Sequence, residues 1–69
     1  MSDLTGRIVR YTALALTHKA NPERAARERG LCTKIEESIA WIVWDHTYAP
    51  AWEYAVNLEA GEGERYERA

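Results

Sequence analysis

The chain has one cysteine, Cys32, so it carries no internal disulfide and none of the framework that staples small secreted domains. Long apolar runs are missing too. The longest is Ile39 to Trp44, far short of the roughly 20 residues that span a bilayer. The N-terminal stretch carries Asp3 and no apolar run of signal length. No repeat or low-complexity linker divides the chain, and 69 residues allow one domain. These absences lead to the expectation of a cytoplasmic protein without membrane contact.

Catalytic and metal-binding patterns are equally sparse. Cys32, His18, Asp45 and His46 show neither the C-x-x-C nor the H-x-x-x-H spacing that places two ligands on one ion. Asp45-His46 could be half of an acid/base pair, but no partner nucleophile is in evidence. Gly61-Glu62-Gly63 follows no clear strand and lacks the third glycine of a phosphate cradle. The expectation is a non-enzymatic protein with no cofactor and no metal.

What the chain does have is enough apolar content for a core, 46% of its residues. A chain this short buries only about 60% of its unfolded surface, so a homodimer or larger assembly would stabilise it. The net charge of −2 hides an asymmetry. Residues 1–34 hold seven Lys/Arg and three Asp/Glu, whereas residues 35–69 hold two and eight. A basic half can meet phosphates even when the total is acidic. An acidic half can dock on a basic partner or imitate DNA with its carboxylates.

The stretch from Asn21 to Ile39 has the most legible local grammar. Asn21 is a helix cap, Pro22 fits the first helical position, and Glu23 suits the positive end of the helix dipole. Gly30 stops that helix. Thr33-Lys34-Ile35-Glu36 has the capping-box pattern and predicts a second helix. Ile35, Ile39, Ile42, Val43 and His46 then form a stripe at helical spacing, with Trp41, Trp44 and Tyr48 beside it. The tryptophans, which could stack on bases, read as core at this spacing. Residues 7–19 read as a helix from Ile8, Tyr11, Leu14, Ala15 and His18. For residues 51–60, periodicity permits two readings. Trp52, Tyr54, Val56 and Leu58 alternate as in a half-buried strand, whereas Ala51, Trp52, Ala55, Val56 and Glu59 fit a helix.

Two helices around Gly30, with the small Ala26 four residues before it and Leu31 after it, make a helix-turn-helix. The order Tyr11, Ala13-Leu14-Ala15, Asn21, Ala25-Ala26, Gly30-Leu31, Trp41, Asp45, Tyr48, Ala49, Ala51-Trp52 and Ala55 resembles the helix-turn-helix of phage terminase small subunits. The similarity covers roughly residues 11–60 and extends to related phage DNA-binding proteins. It departs from them in a longer segment between Gly30 and Asp45, and in Glu36 and Glu37 on the recognition face. It implies helix for residues 51–60, duplex DNA as partner, and the host cytoplasm as location.

The expected fold is therefore all-α, a small helix-turn-helix domain of three to four helices near 5–19, 22–29, 33–46 and 50–60, with a charged tail from about residue 61. Ile35, Ile39, Ile42, Trp52, Leu31 and Leu14 are expected in the core. The expected DNA-contacting residues are Lys19, Arg24, Arg27, Thr33, Lys34 and Glu37. The alternative function is a protein-binding module or inhibitor, meeting a host protein through its acidic C-terminal half.

Overall fold

A computed structural model describes residues 4–61 of the chain, and it is dominated by strands. The all-α expectation is overturned. The strands are β1 (Ile8–Tyr11), β2 (Gly30–Glu36), β3 (Ile39–Trp44), β4 (Ala51–Tyr54) and β5 (Leu58–Ala60). They form one five-stranded sheet in the order β4-β3-β2-β1-β5, and every pairing is antiparallel. Two short helices, α1 (Ala13–Leu16) and α2 (Pro22–Arg27), lie in the connection from β1 to β2. Of the charged tail expected from about residue 61, residues 62–69 lie outside the described residues.

Of the expected helices, 5–19 keeps only α1, after a strand at Ile8–Tyr11. The one over 50–60 is strand, 3-10 turn and strand, because Trp52, Tyr54 and Leu58 follow sheet alternation. The helix from residue 22 survives. Asn21 Oδ1 accepts from the Arg24 N–H at 3.2 Å, and Pro22 opens the helix. The helix ends at Arg27, two residues earlier than expected. The helix expected over 33–46 is instead a hairpin. Cys32 opposes Ile42 and Lys34 opposes Trp41, with a register shift at Thr33 between them. Thr33 therefore caps nothing; its hydroxyl donates to the Trp41 carbonyl at 3.3 Å. The hairpin turns through Glu37 and Ser38, and Glu37 holds a left-handed φ of 56°.

The sheet has to curl. Its two outer strands, β4 and β5, are joined by a single 3-10 turn, Ala55–Asn57. Five strands laid flat would place those edges about 19 Å apart, yet three residues of 3-10 helix rise only about 6 Å. Rolling the sheet brings β4 round towards β1 and produces a partly open barrel. Its core is Leu4, Val9, Cys32, Ala40, Ile42, Trp44 and Leu58. Alternation sets that list: Ala40, Ile42 and Trp44 point inward from β3, while Ile39, Trp41 and Val43 point outward. Of the residues expected in the core, Ile42 is fully buried and Ile35 packs against the cluster. Ile39 is half-buried on the outer face. Leu14, Leu31 and Trp52 are exposed.

Gly30 has a different task from the one its sequence context suggests. It opposes both Val9 and Trp44 within the sheet, and a Cβ there would collide with Ile42 Cγ2 and lie 2.9 Å from Trp44 Cε3. The missing side chain makes room for the indole. Gly30→Ala is expected to lower stability by about 1–3 kcal/mol, as an overpacking change in a tight core. Urea denaturation measures this, and a change below about half a kcal/mol would show that the site has slack.

Candidate functional site

The residues expected to meet DNA do not assemble into one face. Arg24 and Arg27 border an open cleft shared with Asn21, Glu28, Asp45 and His46. Thr33 and Lys34 border a separate shallow pocket with Trp41 and Pro50. Glu37 sits in the β2–β3 turn. Lys19 is engaged by Glu53 and by the Tyr11 ring. The recognition helix that would have presented Thr33, Lys34 and Glu37 does not exist, because those residues belong to a hairpin.

The first cleft mixes both signs of charge. His46 Nδ1 lies 3.2 Å from Glu28 Oε2 and 3.4 Å from Asp45 Oδ1, so two acids stand beside the two arginines. Among the described residues, no three His, Cys, Asp or Glu side chains gather as a metal-binding group. No helix among them is long and apolar enough to cross a membrane.

A polar cluster spans the open side of the curled sheet. Lys19 Nζ sits 4.2 Å from the centroid of the Tyr11 ring and 3.4 Å from Glu53 Oε1. Asn57 donates to Glu53 Oε2 at 2.8 Å, and its carbonyl accepts from the Thr12 N–H at 2.9 Å. Tyr11 in turn stacks on Trp44, with ring centroids 4.7 Å apart. These contacts tie β1 to β4, which are not neighbours in the sheet.

The outer face of β2, β3 and β4 is the distinctive surface. Cross-strand register places Leu31 beside Val43, Trp41 beside Trp52, and Ile39 beside Tyr54. All six side chains point away from the core. Trp52 is 55% exposed, Tyr54 49% and Leu31 37%. The Trp52 and Tyr54 rings meet edge to face, with centroids 5.3 Å apart. Among the described residues, the charges on this face are Lys34 and Glu36, and they pair with each other at 2.9 Å. Sequence reasoning missed this surface because it assigned Leu31, Ile39 and Trp52 to the core. The W-x-Y alternation at residues 52–54 was the signal that could have found it.

The free edge of β4 is protected. The Ala55 N–H donates to the Ser38 carbonyl at 2.8 Å. Bonding alternates along an antiparallel ladder, so the N–H groups of Trp52 and Tyr54 point away from β3. Glu53 Oε2 accepts from the Tyr54 N–H at 3.2 Å. Pro50, just before the strand, has no N–H to offer. An incoming strand would find few donors on this edge.

Comparison with family models, curated proteins and solved structures gives no match.

The spanning cluster generates a pH prediction. Burial raises the Tyr11 phenol above its ordinary 10.0, although Lys19 pulls the other way. Lys19 is raised above its ordinary 10.5: burial lowers it, and the charges of Tyr11 and Glu53 together outweigh that. A proton held more tightly in the folded state gives stability that is complete below the unfolded value and is lost as pH rises through the folded one. The melting temperature is expected to hold steady up to about pH 9.5 and fall above about pH 10. Tyr11→Phe keeps the ring on Trp44 and removes the phenol, so its melting temperature should fall less over the same range. Parallel curves for wild type and variant would contradict the assignment.

Proposed function

We propose that this protein is a non-enzymatic protein-binding module whose contact surface is the outer face of β2, β3 and β4. The observation that carries this reading is the cluster of Trp41, Trp52 and Tyr54 among Leu31, Ile39 and Val43 on one exposed sheet face. A contiguous apolar patch of a few hundred Å² is about the largest a monomer exposes, and such a patch is often a binding site. Trp and Tyr are also the residues that dominate binding energy at protein interfaces.

The charge pattern favours a protein over a nucleic acid. Phosphate binding requires several cations free to neutralise it, and among the described residues the cation on this face, Lys34, is paired with Glu36. A DNA-mimicking acidic half finds little support as well. Of the acids in residues 35–61, Glu36, Asp45, Glu53 and Glu59 stand beside Lys34, His46, Lys19 and Arg10 respectively. A row of free carboxylates is not formed by these four.

The test is selection from a displayed random-peptide library on the chain immobilised at low density, so that copies do not meet. Bound peptides are expected to shift the indole N–H resonances of Trp41 and Trp52. Trp52→Ala with Tyr54→Ala should weaken binding by at least about tenfold, a modest loss for two aromatic anchors. Arg24→Ala with Arg27→Ala should leave it unchanged. Failure to enrich any peptide would overturn the reading. So would retention on duplex DNA at about 50 mM salt that is lost in the arginine variant.

A further inference from the structure

We infer that the partner seated on this face is a second copy of the same chain, packed sheet against sheet. The inference rests on the reading above and names its partner. Three observations lead to it.

The first is charge. Lys34 and Glu36 cancel across 2.9 Å, so the face offers no net charge to steer a basic or an acidic protein. A neutral aromatic surface with one balanced ion pair is compatible with itself. The second is the edge. Pro50 and the Glu53 bond to the Tyr54 N–H obstruct addition of a strand to β4. That disfavours an extended peptide recruited by backbone pairing and leaves face-on packing as the way in. The third is the core. Among the described residues it is one cluster of seven buried side chains, with Ile42, Val9 and Cys32 the largest that are fully buried. A chain of this length buries a small share of its surface against its conformational entropy. Packing two outer faces together adds a second apolar layer, centred on Trp41 and Trp52, like that of a two-sheet sandwich.

The size of the patch sets the strength. Its exposed aromatic and aliphatic surface is on the order of 400 Å² per copy. A standard interface removes about 800 Å² from each partner. The dimer should therefore be weak and reversible, dissociating at roughly micromolar concentrations or above.

Sedimentation equilibrium of the full chain between about 1 and 500 µM tests this, a range suited to weak association. Wild type is expected to pass from monomer to dimer across the range. Trp52→Glu and Tyr54→Glu should each weaken association by at least about tenfold. Both should keep the wild-type far-ultraviolet circular dichroism, since their side chains leave the core untouched. Leu14→Glu, a charge placed on an exposed apolar residue of α1, should dimerise as wild type does. A wild type that stays monomeric throughout overturns the inference. If library peptides still shift Trp41 and Trp52 in that case, the binding reading stands and only the identity of the partner falls. A dimer insensitive to both glutamate variants, or one broken by Leu14→Glu, places the contact elsewhere and overturns the inference as well.

Discussion

The fold depends on the close approach of β2 to the Trp44 indole, which Gly30 permits. Trp44 lies inward on β3 and is 5% exposed. Its ring needs the space a side chain at position 30 would fill. Once placed there, the ring supplies the platform on which Tyr11 stacks. Tyr11 carries Lys19 on its face, and Lys19 reaches Glu53 on β4. One absent methyl group thus leads, through two aromatic rings and an ion pair, to contact across the open side of the curled sheet. Substitution at Gly30 would act on strand pairing and curl together.

The curl has a consequence for the surface. Rolling the sheet gives the described residues one interior, filled by inward residues of β1, β2, β3 and β5. The outward residues of β2, β3 and β4 lie outside that interior and meet one another sideways, half-buried or exposed. The protein nonetheless places Leu31, Ile39, Trp41, Val43, Trp52 and Tyr54 there. Leaving such side chains in water forgoes about 25 cal/mol for each Å² of apolar area. The protected β4 edge fits the same logic, since it blocks indiscriminate strand pairing and leaves the face accessible.

That outer face also explains how far the sequence could be read. The cap at Asn21 and the helix it starts were legible because capping is a local interaction. The hairpin was not. Ile39 to Trp44 is apolar at every position, inward and outward alike, so the alternation that betrays a half-buried strand was missing. Its isoleucines also fell by chance at helical spacing, and Thr33 and Glu36 imitated a capping box. The β2–β3 turn lacked the Asn-Gly or Asp-Gly signal of a tight hairpin; Glu37 takes the left-handed position without glycine. Gly30 reads as a helix stop when only neighbours in sequence are considered. Its partners, Val9 and Trp44, are 21 and 14 residues away, and such distant pairing leaves no local trace. The candidate surface hid the fold, because the feature that makes it sticky is the one that removed the strand pattern.

The relation between Gly30 and Trp44 can be observed directly by solution NMR. If the indole packs over β2, the Gly30 α-protons should shift strongly from ring current and show cross-peaks to the Trp44 ring. Amides from Cys32 to Trp44 should show strand-type shifts. A Gly30 with ordinary shifts and no contact to Trp44, together with sequential helical cross-peaks from Thr33 to His46, would contradict the account and restore the helix.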